Sequence, residues 1–207
     1  MRRIQKEYIL YKFDELSKDV QERVLEKYID IEYQHYLEYC LYDDMENLAR
    51  DLLQTYFKGA NYTNIYYDLS YSQGSGSMIA FNIDLEDLNN KYNKLSKEQI
   101  KELESFGGTD IKVYHNDSHY YHEYTFAIDY NNFTMYGYEW ETFENEDEIE
   151  DKIDEMIKQF KKDIVNMNKE LSNSGYNQLE NKEYFEELAR INILDLEFLE
   201  NGDVFYE

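Results

Sequence analysis

The chain of 207 residues carries 45 acidic and 21 basic side chains, which gives a formal net charge of −24 at pH 7. Such a charge argues against direct binding to nucleic acids or anionic membranes, because those partners require Lys and Arg to displace their counterions. Hydrophobic residues make up 42% of the chain, too many for a disordered acidic tail, and the length suits one domain with a real core. The single cysteine, Cys40, excludes an internal disulfide and a cysteine-based zinc site.

The N-terminal part of the sequence predicts one strand followed by two helices. Residues 8–13 have strand character, and Ser17 is placed to cap the helix that follows. The apolar positions of that helix recur every three or four residues at Val20, Val24, Tyr28, Ile31 and His35. Asp43 and Asp44 open a second helix, with Gly59 as its stop. The short connection between the two helices predicts an antiparallel pair.

A glycine-rich stretch, Gln73-Gly74-Ser75-Gly76-Ser77, separates two runs of alternating apolar and polar residues. These runs, 64–71 and 78–85, are typical of strands. A phosphate-binding loop requires a Lys-Ser/Thr pair or a helix directly after the glycines, and neither follows here. We therefore predict that the two glycines supply positive φ for a tight hairpin turn, which pairs Tyr71 with Ile79.

The middle of the chain predicts two short helices and three further strands. Residues 85–92 have a helical pattern, and Ser96 with Gln99 forms a capping box before a helix that ends at Phe106. The three strands are predicted at 110–116, 119–130 and 133–140, separated by turn-forming Asn, Asp and Ser residues.

Helical periodicity returns at Glu146 and continues until the cluster Ser172-Asn173-Ser174-Gly175 breaks it. The apolar seam of this helix is Ile149, Ile153, Met156, Phe160, Ile164, Met167 and Leu171. A last helix is predicted at 179–199, with inward positions at Phe185, Leu188, Ile191, Leu194 and Phe198.

The order of these elements predicts an α+β fold. We expect an antiparallel sheet of about four to five strands packed against several helices, with a long C-terminal helical hairpin. Residues 1–145 are expected to form the α+β core, and residues 146–207 an acidic helical hairpin that packs on this core as part of one domain.

Three of the four histidines lie close together, at His115, His119 and His122, with Asp117 and Glu123 beside them. Such a group can bind a transition metal or act as general acid and base. On one extended strand, however, His119 and His122 face opposite sides. His115 and His119 can meet across a turn, but no third ligand is near them in sequence. We therefore predict no metal, no cofactor and no enzymatic activity; the alternative is a metal- or nucleotide-dependent enzyme that uses these histidines.

Residues 141–155 hold nine acidic residues and one lysine, a net charge of −8. On a helix most of these acids lie opposite the apolar seam, and neighbours three or four positions apart are roughly 5–6 Å from each other. Taken alone, the segment is explained by a solvated helix face at the positive end of the helix dipole. The total charge, however, exceeds the magnitude of about 2–8 that solubility needs, and therefore favours a surface that imitates nucleic-acid phosphates. The predicted contact residues are Glu144, Glu146, Asp147, Glu150, Asp151, Asp154 and Glu155.

Three stretches resemble a family of small phage and prophage proteins: LYKFDELSKDVQERVLEKY at 10–28, LSYSQGSGSMIAF at 69–81 and HNDSHYYHEYTF at 115–126. The similar features are a Phe-Asp-Glu-Leu start, a Ser-Gln-Gly-x-Gly turn and a histidine-rich strand, and they lie before residue 130. The resemblance implies a phage setting. It also implies a shared ligand site formed by Gln73, Gly74, Gly76, His119 and His122.

A phage setting, extreme acidity and the lack of a catalytic motif together resemble the anti-CRISPR and anti-restriction inhibitors of phages. We therefore expect a phage-encoded, non-enzymatic inhibitor that binds a basic nucleic-acid groove on a host defence nuclease by nucleic-acid mimicry. The expected partner is a basic nucleic-acid-binding protein of the host defence system, and not nucleic acid or a membrane. No stretch is apolar enough for a signal peptide or a membrane span, so we expect the chain in the cytoplasm of the host cell.

Overall fold

The computed structural model describes residues 6–106, 109–130 and 146–206. The chain divides into two units: a first unit, Met1–Tyr42 together with Asn177–Glu207, and a second unit, Asp43–Tyr176. Residues 146–176 of the acidic C-terminal segment therefore group with the sheet and not with the last helix. The boundary that the sequence suggested after residue 145 lies at the edge of an undescribed segment, and the division made there stays a prediction.

Within the described residues, the second unit contains a four-stranded antiparallel sheet whose strands follow the order of the chain. The strands are β1 (Asn61–Asp68), β2 (Gly76–Asp84), β3 (Asp110–His115) and β4 (Phe126–Asp129). The register pairs Ile65 with Ile79 and Phe81 with Val113. The predicted α+β class and antiparallel sheet are confirmed. The predicted strand at 133–140 lies outside the described residues.

Buried aromatic and aliphatic residues form the core of the second unit. Its helices, wholly or in large part, are α2 (Leu41–Tyr56), α3 (Leu85–Tyr92), α4 (Lys97–Phe106) and α5 (Glu146–Leu179). Phe81 of β2 contacts Phe57 after α2 and Phe160 of α5, with ring centroids 5.4 and 6.0 Å apart. The apolar seam predicted for α5 is confirmed, because all seven of its members are at most 4% exposed. Burial of each such side chain contributes about 1.5–3 kcal/mol.

A buried polar network joins α5 to β2. Asn168 is fully buried, and its Oδ1 accepts the N–H of Ile79 at 3.1 Å. The backbone carbonyl of Asn168 accepts a hydrogen bond from the Ser77 hydroxyl, also at 3.1 Å. Because β3 pairs with β2 only between Phe81 and Asp84, the Asn168 side chain takes the place of a strand partner for Ile79.

The first unit contains α1 (Lys18–His35) and α6 (Lys182–Ile193), which pack against each other. Its core consists of Leu16, Val20, Val24, Ile193 and Phe198. The segment predicted as a first strand, 8–13, forms only one bridge, in which Tyr11 and Phe198 exchange backbone hydrogen bonds of 2.8 and 2.9 Å. A 3₁₀ turn, Phe13–Glu15, follows at once and ends the extended stretch.

The two N-terminal helices are continuous, so the predicted antiparallel pair is wrong. A π-helical turn, Tyr36–Cys40, leads from α1 directly into α2, and residues 18–56 contain no loop. The reason is local, because residues 36–42 hold no Gly, Pro or Asn that would end the first helix.

Helix α5 continues through residues 172–175, so the break predicted there is wrong. The helix has 34 residues and ends at Leu179. A Cβ on Gly175 would lie 2.7 Å from Leu69 Cδ1 and 2.8 Å from Met45 Sδ, so the small residue allows a close approach. Tertiary packing therefore overrides the weak helix propensity of this cluster.

The short helices follow the sequence prediction more closely. α3 has the predicted bounds, and the capping box of α4 is formed: Ser96 Oγ accepts the Gln99 N–H at 3.2 Å, while Gln99 Oε1 accepts the Ser96 N–H at 2.9 Å. α6 starts later than predicted because Asn181 caps it, accepting the Tyr184 N–H at 3.2 Å. Among the helices of the described ranges, none combines the length and the apolar character needed to cross a membrane.

Candidate functional site

The acidic side of α5 is exposed along its first turns. Ile149, Ile153 and Met156 are buried on the inner side. The predicted contact residues that the structure shows exposed are Asp147, Glu150, Asp151, Asp154 and Glu155. Glu146 is the first residue of α5, and Glu144 lies outside the described residues. Five of the seven predicted residues therefore share the outer side of one helix.

Two lysines neutralise part of this surface. Lys94 Nζ lies 2.8 Å from Glu155 Oε2, and the hydrogen bond and charge of Lys94 lower the pKa of the Glu155 carboxyl. Lys152 Nζ lies 2.6 Å from Glu148 Oε1, one helical turn away. As far as the structure describes the chain, no ion pair involves the four remaining carboxylates, which we call the acidic row: Asp147, Glu150, Asp151 and Asp154.

The acidic row has the linear charge density of a nucleic-acid strand. Its residues occupy helix positions i, i+3, i+4 and i+7. At the rise of an α-helix they span about 10.5 Å, or roughly 3.5 Å per charge. One strand of B-DNA carries one phosphate about every 3.4 Å along its axis. Because the seam beneath is buried, α5 fixes the backbone positions of all four carboxylates at this spacing.

The glycine-rich stretch belongs to the loop between β1 and β2. The last strand pair is Asp68 with Gly76, and the register pairs Ile79 with Ile65 rather than with Tyr71 as predicted. The loop is longer than expected because serine side chains stabilise it. Three hydroxyls lie 3.0–3.2 Å from one another, those of Ser70, Ser72 and Ser75.

The two glycines of this loop have the conformation predicted for a hairpin. Their φ angles are +88° at Gly74 and +153° at Gly76, so the prediction of positive φ is confirmed. β2 begins at Gly76, and no helix starts there. The helix N-terminus that would hold a phosphate is therefore missing from this stretch, and the glycines form a structural turn.

Two of the histidines, His119 and His122, lie in a loop at residues 116–125, whereas His115 is the last residue of β3. The strand predicted at 119–130 is confirmed only over its last part, because β4 covers Phe126–Asp129. Side chains turn the chain at two successive points. Asn116 Oδ1 accepts the Ser118 N–H at 3.2 Å, and Ser118 Oγ accepts the Tyr120 N–H at 3.1 Å. These local hydrogen bonds compete with strand pairing, so β4 begins only after the loop.

The three histidines have different surroundings and do not converge. His115 Nε2 donates to the carbonyl of Tyr120 at 3.0 Å, and not to His119 across the turn. His122 Nδ1 accepts the N–H of Tyr124 at 3.2 Å. His119 is exposed. In the ranges 6–106, 109–130 and 146–206, no group of three or more His, Cys, Asp or Glu residues is arranged to hold a metal ion.

The glycine turn contacts the histidine loop. Tyr121 donates its N–H to the carbonyl of Gly74 at 3.2 Å. A Cβ on Gly74 would overlap the ring of Tyr120, and a Cβ on Gly76 would lie 3.0 Å from the Cα of His122. Of the five residues that the resemblance implied, the structure brings Gly74, Gly76 and His122 together. It leaves the other two exposed, Gln73 and His119.

Two features of this region carry no local signal in the sequence. Lys94 lies 61 positions from Glu155, so no spacing rule pairs them. The rings of His115 and Tyr66 stack with centroids 4.9 Å apart, although their strands, β3 and β1, are not neighbours in the sheet, so this contact depends on the tertiary structure. The Glu148–Lys152 pair is different, because its i, i+4 spacing is a recognisable signal.

A cleft of about 800 Å³ beside α3 is the place where an enzyme site would be sought in the second unit. Of its two lysines, Lys58 and Lys91, the second donates to the Tyr56 carbonyl at 2.7 Å and forms an ion pair of 2.7 Å with Asp163. Asp163 also accepts a hydrogen bond of 2.9 Å from Tyr92. Burial, followed by this hydrogen bond, raises the pKa of Tyr92. Lys91, Asp163 and Tyr92 therefore bind one another, which is typical of a structural network.

Comparison with known proteins adds no relative. No protein-family model, curated protein or solved structure matches the chain. The resemblance to small phage proteins therefore stays an expectation. Function is inferred from the geometry and charge of the chain's own residues.

Proposed function

We propose that this chain is a phage-encoded, non-enzymatic inhibitor that occupies the basic nucleic-acid groove of a host defence nuclease in the host cytoplasm. The acidic row on α5 imitates the phosphates of one strand. The observation that carries this proposal is the row itself, four exposed carboxylates at a strand-like charge density on a helix fixed by a buried seam.

The total charge supports the same conclusion. A net charge of −24 makes the folded chain repel itself, which lowers its stability. Solubility alone needs a charge of magnitude about 2–8. A partner with a complementary basic surface accounts for the excess, because opposite potentials accelerate encounter and select against wrong partners.

On the acidic side of α5, some carboxylates make no ion pair with other described residues of the chain. Glu155 is paired with Lys94 and Glu148 with Lys152, while the four carboxylates of the acidic row are exposed and make no ion pair within the described residues. Carboxylates already paired within the chain would have to lose a partner before they bound another protein. The acidic row is free of this penalty.

The experiment is binding of the purified chain to a panel of host defence nucleases, measured at several salt concentrations. We expect affinity for the true partner to fall by at least about tenfold between roughly 50 and 200 mM salt, because screening weakens exposed charge pairs. The same steep loss is expected at constant salt when the acidic row is neutralised by Asp147→Asn, Glu150→Gln, Asp151→Asn and Asp154→Asn.

A matched control neutralises four exposed acids elsewhere, by Glu22→Gln, Glu26→Gln, Glu102→Gln and Glu104→Gln. Both variants change the net charge by the same amount, so they separate the local row from the total charge. Equal loss of affinity in the two variants would contradict the role of α5. A panel in which no nuclease binds the wild-type chain would contradict the function as a whole.

A further inference from the structure

The outer side of α6 carries apolar residues that the sequence predicted to be buried. Phe185, Ala189 and Ile193, which step by four, are at most 2% exposed and define the inner side of the helix. Ile191 and Leu194, by contrast, are 56% and 68% exposed. The expectation that these two face inward is wrong, because the inner side is already occupied by the other three.

The exposed side of α6 carries three apolar residues with one acid among them. Tyr184 is 43% exposed, and Glu187 is exposed one turn after it. Spacings of three, four and three residues place both on the same side of the helix as the exposed aliphatic pair. We call these four residues the α6 stripe: Tyr184, Glu187, Ile191 and Leu194.

Acidic side chains border the α6 stripe. A shallow depression of about 390 Å³ lies over three of its residues, Glu187, Ile191 and Leu194, and is also lined by Glu183, Glu186 and Arg190. Arg190 binds Glu186 on its own helix at 2.8 and 3.0 Å, so that pair is neutral. Within the part of the chain that the structure describes, Glu183 and Glu187 make no ion pair, and they give the depression its negative charge.

We propose that the α6 stripe binds a cationic amphipathic helix of a partner protein. The apolar side of such a helix covers Ile191 and Leu194 and removes their surface from water. Lysines or arginines at its edges lie beside Glu183 and Glu187. A helix that lies along a groove presents apolar anchors three or four residues apart, which is the spacing of Ile191 and Leu194.

Charge decides between this occupant and a second copy of the chain. Two copies each carry −24, and apposed stripes would bring Glu183 and Glu187 of both copies together. A basic helix brings opposite charges to the same positions.

The α6 stripe differs from the acidic row in its expected response to salt. The acidic row offers charge alone, so screening removes most of its affinity. The stripe combines charge with apolar contact, so part of its affinity persists at high salt. This inference therefore does not rest on the proposed inhibition of a nuclease.

The test uses the full-length chain and two synthetic peptides of about 18 residues, or five helical turns. One peptide arranges Leu and Lys as an amphipathic helix, and the other has the same composition in an order that gives no apolar side. We expect the amphipathic peptide to bind about tenfold more tightly than the scrambled one in titration calorimetry. Ile191→Ser together with Leu194→Ser should remove this preference, whereas Glu102→Gln together with Glu104→Gln, at exposed positions outside both proposed surfaces, should leave it intact.

Equal affinity for the two peptides overturns the proposal, since a chain of this charge then binds any cation. A double serine variant that keeps the preference overturns the assignment to α6. Analytical ultracentrifugation checks the oligomeric state. If the wild type is a dimer and the double serine variant is a monomer, the partner of the stripe is a second copy of the chain and not a basic helix. Circular dichroism verifies that the variants stay folded, as expected for exposed positions.

Discussion

Gly74 combines a left-handed backbone with a close neighbour. Its φ is +88°, which a β-branched residue rarely adopts, and a Cβ there would overlap the ring of Tyr120. We expect Gly74→Val to lower the free energy of unfolding by about 2 kcal/mol or more. Urea denaturation followed by circular dichroism measures this loss.

The neighbouring position provides the control for this prediction. Gln73 is exposed and lies outside the left-handed region. Gln73→Val should therefore change the free energy of unfolding by no more than about 0.5 kcal/mol. If both valine variants lose the same stability, the requirement lies in the loop as a whole and not in Gly74.

Tyr92 links the stability of the second unit to alkaline pH. Burial, and next the hydrogen bond to Asp163, raises the pKa of Tyr92 above its ordinary value of 10.0. Above that pH the unfolded chain loses a proton that the folded chain retains. The stabilising contribution of Tyr92 is therefore complete below pH 10 and is lost as the pH rises through the alkaline range.

Replacement of this residue by phenylalanine tests the linkage. Tyr92→Phe should lower the free energy of unfolding by about 1 kcal/mol at neutral pH, because it removes one hydrogen bond. Above pH 10 the advantage of the wild type should shrink, by at most about 1.4 kcal/mol per pH unit. Denaturation curves of both proteins at neutral and alkaline pH give the difference. An advantage that stays constant or grows with pH would contradict a raised pKa of Tyr92.

Among the elements, α5 makes the sharpest prediction where it passes residues 172–175. In an exposed helix interior, Gly→Ala stabilises by about 1 kcal/mol. At Gly175 the added Cβ would lie 2.7 Å from Leu69 Cδ1 and 2.8 Å from Met45 Sδ. We therefore expect Gly175→Ala to destabilise the protein by about 1–3 kcal/mol in the same urea assay.

Asn173 is the matched control for this change, because it lies two residues earlier in the same helix and is exposed. Asn173→Ala should raise the free energy of unfolding by a few tenths of a kcal/mol, roughly 0.5, through helix propensity alone. The free energy of unfolding is therefore expected to rise in Asn173→Ala and to fall in Gly175→Ala. A stabilising Gly175→Ala would mean that the helix does not approach Leu69 and Met45 so closely.

The sequence predicted best those elements whose limits are marked by neighbouring residues. The capping box of Ser96 and Gln99 places the start of α4, and the bounds of α3 follow from its own pattern. The end of α5 depends instead on Leu69 and Met45, which are distant in sequence, so a local cluster of small residues was misleading.

In the candidate site, too, the sequence predicts the features that depend on neighbouring residues and misses those that depend on distant ones. Exposure of the acidic row was predictable because the apolar seam of α5 has a helical period. The pairing of Glu155 with Lys94 was not, since it depends on tertiary structure. The sequence predicts a strand through the histidine loop because the alternation of its residues conceals the turns made by Asn116 and Ser118.

For the molecule as a whole, the net charge of −24 determines which partners are accessible. Under the proposed function this charge disfavours contact with DNA and RNA and favours contact with the basic proteins that bind them. The acidic row is the proposed binding surface of the second unit. The α6 stripe is the proposed binding surface of the first unit, and it combines apolar and acidic residues. A mimic must therefore compete with nucleic acid for one groove.

The measurement that tests this claim most directly is displacement of labelled nucleic acid from a nuclease that binds the chain. Fluorescence anisotropy of the labelled strand should fall to the value of the free strand as the chain is added. The apparent Kd for nucleic acid should rise in proportion to the concentration of the chain, and the variant with a neutralised acidic row should require much more protein for the same effect. Anisotropy that rises, because nuclease, nucleic acid and chain form one complex, would contradict mimicry.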